Sequence, residues 1–530
     1  MPGTVVTDLA FFTGATGGST SNCDQITDWV TAPTLDLITF IQGIGALSAK
    51  VSKATFTSVF SLVAAVNLTG KVIYVWAMCS GKMDTKANGG FRVRVENAAG
   101  QFGEWYLAGS DTWAGGWTPW TVHTSTAFAP GATIPDVTAI TKVGIVFKTI
   151  GSATAVNCWW DAMRYGTYIG VKGGTDVSPA TLQDIIDQEN LVDNKWGVLS
   201  EYEGVFITQG KLIIGSTTAQ DNTYFKDTSE RILIFPDKPF PSDFYEIKLQ
   251  GNTAAPPTYF TKVFFGEKVG GTGVRGVTIR AASSAKPFKV TASDTNITEY
   301  GFYGCSFYQA SDITLQAYST VKEFLGCSVS KSAEMLPDTG IVKDCTIMSA
   351  TNRGIRMASA SHHITDSKFI SCPHSVHCPV SIAVPFTSLQ FFGTNGTDKW
   401  DIEHSVAGTL TVNWTGYQPQ YVDETGGGNT VFYNYVDLTI YVKDEAQQNI
   451  SGASVRVSKL DNNTVVYMNE VTDVNGIAYE SINNPGTVNL RIRARKSTTG
   501  TRYIPMETTG QMTATGFALT VTLYKDGNIP

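Results

Sequence analysis

The 530-residue sequence predicts an all-β protein in which a right-handed parallel β-helix lies between two β-sandwiches. Three observations predict it. Charged residues make up 16% of the chain, well below the roughly 25% usual for soluble proteins, while glycine reaches 51 residues and aromatics 11%. That is the balance of a turn-rich protein with neutral polar surfaces. Short runs of β-branched and aromatic residues recur between Gly, Asn, Asp and Pro turns. A short phrase also returns in the middle of the chain: GFYGCSF at 301–307, FLGCSV at 324–329, VKDCTI at 342–347 and ITDSKF at 364–369. The chain is too long for one hydrophobic core, so several domains are expected.

Residues 1–169 contain the runs KVIYVWAMC, GGFRVRVEN, FGEWYLAG, ITKVGIVFKTI and AVNCWWDAMRYGTYI, the pattern of an antiparallel sandwich. The late strand VGIVFKT followed by NCWWDAMRYG resembles jelly-roll modules of the carbohydrate-binding type. Residues 170–199 read as a linker with one short helix in VSPATLQDIIDQENL. Ser178 is placed to cap the exposed amides and Pro179 suits the first turn, while Leu182, Ile185 and Ile186 share one face.

The repeated phrase defines residues 200–415. Its period of about twenty residues is that of stacked coils. Within each phrase the Cys or Ser and the residue two places on point to the same face of a strand. One coil cannot bury that face, but stacked coils put like on like. The rungs are therefore Cys305 and Phe307, Cys327 and Val329, Cys345 and Ile347, and then Phe369. The cysteines are read as small buried thiols in one column, packed rather than bridged. Eight cysteines spread thinly through the chain fit reduced thiols better than a disulfide scaffold.

The third domain, residues 434–530, carries NISGASVRV, the turn and strand TDVNGIAYES and the strand TVNLRIRARK. These phrases resemble carboxypeptidase regulatory-like modules, Ig/prealbumin-like β-sandwiches that serve as stiff spacers or adhesive tips. The resemblance implies no catalysis.

The net charge is −7 and no basic block occurs, which excludes a phosphate-tracking nucleic-acid binder. The start, MPGTVVTDLAFF, lacks a basic region followed by an apolar run, and the most apolar window is interrupted by Asn67, Thr69 and Lys71. Neither an export signal nor a membrane span is expected. No cofactor motif emerges: GTGVRG at 271–276 precedes a strand and not a helix, and reads as a turn between coils. Cys372, His374, His377 and Cys378 lie within seven residues and could in principle hold zinc. Their spacing matches no common finger, and Pro373 and Pro379 point instead to a bend ending the solenoid. No metal is assigned.

Two further groups bear on function. Trp105, Trp113, Trp117 and Trp120 are concentrated in EWYLAGSDTWAGGWTPWTVH, where exposed rings would stack on sugars and buried ones would simply pack the domain. Asp312, Glu323, Asp338, Asp344 and Asp366 are the acids available on the β-helix. Two of them about 5–10 Å apart would suit glycoside cleavage, whereas acids beside turns commonly serve backbone amides.

The order of sandwich, β-helix and regulatory-like sandwich, with LQFFGTNGTDKWDIEHSVAGTLTVNW leading into the last module, resembles virion surface proteins of tailed bacteriophages. That resemblance implies a capsid decoration protein, head fibre or tail fibre: a non-enzymatic projection on the virion surface, assembled in the host cytoplasm. Other virion proteins are the expected partners, together with copies of the chain in a trimer and host-surface glycans, but neither nucleic acid nor membrane. The N-terminal sandwich or the helix after it would anchor, the β-helix would be a stalk and the last module would be distal, with the reverse polarity as the alternative. The alternative it leaves open is a tailspike-like polysaccharide depolymerase working in the β-helix groove.

Overall fold

The computed structural model describes residues 3–526 apart from 53–54, 86–87, 109–115, 130–132, 150–154, 192, 219–220, 243, 252–258, 293–296, 315–320, 337–339, 360–362, 394–398, 415–418, 434, 484–486, 499–500 and 514. The fold is all-β, with one helix among the described residues. The chain divides into two compact units, Met1–Arg356 with Ile370–Cys372, and Met357–Phe369 with Pro373–Pro530.

The first unit opens with a sandwich of two antiparallel sheets. One sheet runs in the order Thr118–His123, Val72–Cys79, Val156–Gly166, Ala46–Val51 and Thr34–Asp36, with Ala10–Phe11 also paired to Val156–Gly166. The other runs Trp29–Val30, Thr55–Val66, Ile140–Lys148, Phe91–Asn97 and Phe102–Ala108. Ile73, Val75 and Trp160 from the first sheet share a core with Phe60, Val93 and Phe147 from the second. Trp160 sits at its centre, its ring 5.8–5.9 Å from those of Trp29, Phe56 and Phe147.

Three parallel sheets follow, and their strands recur in the same order along the chain, so each circuit of the three makes one coil of a parallel β-helix. One sheet begins with Tyr168–Lys172 beside Lys211–Gly215, so the parallel ladder starts well before residue 200. In the second unit another of the three sheets carries parallel pairing past residue 415, with Gly408–Asn413 paired to Gly428–Tyr433. The solenoid is longer than the sequence suggests because its first and last strands carry no recurring phrase.

Phe307 pairs with Val329 and Val329 with Ile347, in register. All seven rung residues are buried, Phe369 in the second unit among them, where its ring stacks on Phe391 at 5.3 Å. The cysteines are free thiols, each reaching back one coil. Cys305 Sγ donates to Phe265 O at 3.5 Å, Cys327 Sγ to Phe302 O at 3.1 Å and Cys345 Sγ to Phe324 O at 3.4 Å. The three acceptors are themselves stacked partners, Phe265 beside Phe302 and Phe302 beside Phe324. Free Cys is favoured here because a small apolar side chain fills the corner while its weak donor satisfies a carbonyl.

The helix, Leu182–Glu189, covers the first coil with Leu182, Ile185 and Ile186 turned inward. Its cap is Thr181, not Ser178: Thr181 and Asp184 form a reciprocal capping box, Thr181 N donating to Asp184 Oδ2 at 2.7 Å. That box satisfies two end amides at once, which a cap at Ser178 could not match. GTGVRG forms one arm of a hairpin, Thr272–Val274 against Glu267–Val269, with Gly270 and Gly271 both at positive φ. A Cβ on Gly273 would lie 1.8 Å from Leu325 O, so only glycine lets the hairpin lie against the coils.

The second unit ends in a sandwich. Tyr435–Asp444 pairs with Ile477–Asn483 and Phe517–Leu523 in one sheet, and Ser454–Lys459, Asn462–Val471, Val488–Arg495 and Met506–Met512 form the other. Strict alternation along Val488–Arg495 sends Leu490, Ile492 and Ala494 into the core and the intervening arginines outward.

Candidate functional site

The tryptophan run does not present four stacking faces. Trp105 is 2% exposed, donates its Nε1–H to Thr126 O at 2.9 Å and packs on Phe128 at 4.4 Å, so its ring is part of the core. Trp120 packs edge-on to Phe91 within the same core. Trp117 is half-buried, and Trp113 lies outside the described residues. The glycan-stacking expectation is thereby corrected for Trp105, whose ring belongs to the sandwich core.

Of the β-helix acids, Glu323 is engaged structurally. Glu323 accepts from Lys268 Nζ at 2.7 and 2.8 Å and from Tyr303 Oη at 2.9 Å. Asp344 and Asp366 hold positive φ at coil corners, the turn role open to short polar side chains. Asp312 is half-buried, and its carboxyl is raised by burial against the pull of Lys289. Asp338 lies outside the described residues.

The expected bend at CPHSVHC is replaced by a strand, His374–Cys378, in the middle of a parallel sheet, paired with Trp400–His404. Extended backbone is what the residue before a proline prefers, so Pro379 is compatible with a strand ending at Cys378. Cys372 Sγ donates to Ile347 O and Ile370 O instead of serving as a ligand, and Cys378 is buried with its thiol raised, first by burial and then by the Glu403 charge. Among the described residues no group of three or more His, Cys, Asp or Glu is placed to hold a metal ion.

That strand nevertheless builds a polar network within the second unit. Glu403, 0% exposed, lies 3.1 Å from His374 Nδ1 and 3.9 Å from His377 Nε2. One residue on, His404 Nδ1 lies 2.9 Å from Asp423 Oδ1 and His404 Nε2 lies 3.4 Å from Ser381 Oγ. Burial pulls the Asp423 carboxyl up, but the hydrogen bonds from Thr430 and His404 outweigh it and leave it below its ordinary value. Ser, His and Asp in this order form the relay of a serine nucleophile. Here Ser381 donates to Ala407 O at 2.8 Å and the imidazole is 0% exposed, so a substrate atom has no path to Nε2. The network fastens Trp400–His404, Tyr421–Asp423 and Gly428–Tyr433 together.

An open site lies on the outer face of the C-terminal sandwich. Strand register sets Asn469, Arg456, Arg493 and Glu507 side by side across four strands, with Ser454 opposite Arg495 in the next row. Arg493 Nε donates to Glu507 Oε2 at 2.5 Å, and Arg491 Nε lies 3.4 Å from Glu507 Oε1. Arg456 donates to Asn463 O, and exposed Arg495 makes no ion pair among the described residues. Two of these four arginines, Arg491 and Arg493, thus share one carboxylate. Beside Arg456, Arg493 and Arg495 opens a cavity of about 390 Å³, which Ser454, Asn469, Pro505 and Glu507 also line. The arginine row is missed when the sequence is searched for basic blocks, but the alternation in NLRIRAR signals it.

The fold and this site define an all-β protein of parallel coils and antiparallel sandwiches, with an arginine-lined cavity on its last module. No known protein family and no curated protein matches the sequence. Among solved structures it is similar to an exo-β-agarase at 10% identity and a TM-score of 0.22, covering 29% of this chain and 24% of the agarase. It is also similar to the catalytic domain of a GH87 α-1,3-glucanase in complex with nigerose, at 10% identity and a TM-score of 0.16, covering 85% of this chain and 78% of that one. Likenesses this remote carry no functional argument.

Proposed function

We propose that the chain is a non-enzymatic structural protein on the exterior of a tailed-phage particle, as capsid decoration, head fibre or tail fibre, where it acts as a rigid projection for surface attachment or particle stabilisation. The observation that carries the non-enzymatic part is the engagement of Glu323, which is held by Lys268 and Tyr303. The in-register rungs supply the stiffness, since each buried side chain is clamped between the coils before and after it. The virion setting is supported by the phrases of the last module and by the order of the parts. Copies of the chain would assemble as a trimer around the projection axis.

Mass spectrometry of gradient-purified particles tests the reading, which expects the protein at a fixed stoichiometry per particle. Particles free of it would refute it. Incubation with host capsular polysaccharide should release no new reducing ends; their release would favour a depolymerase instead.

A further inference from the structure

We infer that the arginine-lined cavity of the C-terminal sandwich binds a carboxylate-bearing saccharide of the uronic-acid type. Like charges directly opposite one another on a sheet are unfavourable, yet Arg456 faces Arg493 in register. The arrangement is relieved in part by Glu507 and Asn463, which still leaves the forked donors of Arg495 without an ionic partner among the described residues. A guanidinium fork matches a carboxylate two bonds at a time, so the missing charge is that of a planar anion.

Three features select a sugar acid over a bare anion. The volume, about 390 Å³, lies in the range of small-molecule sites and exceeds what one inorganic ion fills. Pro505 offers an apolar edge suited to the C–H face of a pyranose ring. Glu507, oriented by Arg493, is an acceptor that takes hydrogen bonds from sugar hydroxyls, with Ser454 and Asn469 adding further polar contacts. The inference deepens the attachment reading and rests on it for where the ligand is met. The binding is measured on the isolated chain, so its failure and that of the virion reading are told apart.

The test is isothermal titration calorimetry of the full chain at low salt with trigalacturonate, with neutral galactotriose and with inorganic phosphate, repeated on the Arg456→Gln/Arg495→Gln double variant. Both positions are exposed, and unchanged circular dichroism would confirm that the variant is folded. The expected result is binding of trigalacturonate weakened at least about ten-fold in the variant and by raised salt, with no binding of galactotriose. Absence of trigalacturonate binding, equal binding in the variant, or phosphate binding as tight as that of the sugar acid would each overturn the proposal.

Discussion

Replacing Phe302 with alanine tests how the β-helix is held together. Phe302 is 0% exposed, lies 5.4 Å from Phe265 at 3° between ring planes and 5.0 Å from Phe324 at 19°, and meets Phe307 edge-on. Its carbonyl also receives the Cys327 thiol. Removing a buried phenyl ring leaves a cavity whose lining cannot collapse when the strands on both sides are fixed in register, so the cost falls within the usual range of about 3–5 kcal/mol. Because coils contact only their neighbours, the loss should be local. Amide hydrogen exchange in Thr261–Phe265, Glu299–Tyr303 and Val321–Leu325 should speed by roughly a thousand-fold, while Ser454–Lys459 in the second unit keeps its protection. Phe302→Leu, which keeps most of the volume, should cost less than half as much. An acceleration below about ten-fold, or equal acceleration in Ser454–Lys459, would refute the stacked-coil account.

Three further outcomes are expected. The native chain should resist iodoacetamide at pH 8, since all eight cysteines are buried and burial, reinforced by Cys305 and Cys345, holds the Cys327 thiol well above its ordinary range; labelling of the central thiols before unfolding would contradict the ladder. Trp105→Ala should destabilise the first unit by about 3–5 kcal/mol and leave sugar binding unchanged, measured by thermal melting and calorimetry. Stability should also depend on pH through Asp161, which burial raises to about 7 against the N–H groups of Gln42 and Ile41, and through Glu189, which burial raises to about 7 against Gly197 N–H and Arg164. Both groups keep their proton in the folded state over a window, from about 4 to 7, where the unfolded chain has lost it. Each therefore favours folding below that window, and its contribution falls by up to about 1.4 kcal/mol per pH unit as pH rises through it. Asp161→Asn keeps the acceptor for Ile41 and Gln42 and cannot ionise, so the difference between wild type and variant should grow from pH 5 to 7.5; a constant difference would sink this assignment.

The rungs were legible because a period near twenty and a period of two coincide in the same short phrase, which little besides stacked strands produces. The ends of the solenoid were not: Tyr168–Lys172 and Gly428–Tyr433 repeat no phrase. The helix face was readable from Leu182, Ile185 and Ile186, whereas its cap was misplaced because Ser178 and Thr181 offer the same chemistry and only Asp184 decides between them. Trp105 and Trp120 looked like a surface motif because aromatic density does not say which face of a strand is inside. The arginine row was written in the alternation of NLRIRAR, but its facing of Arg456 depends on strand register that one sequence does not display.

The central claim is that this chain projects from the outside of a phage particle. Immunogold electron microscopy of purified particles, with antibody raised against residues 434–530, tests it directly. The account predicts label on intact particles, scattered over the head for a decoration protein or head fibre, or confined to the tail for a tail fibre. Unlabelled particles that nevertheless contain the protein by mass spectrometry would contradict it, because the last module would then be enclosed and its arginine face would meet no glycan.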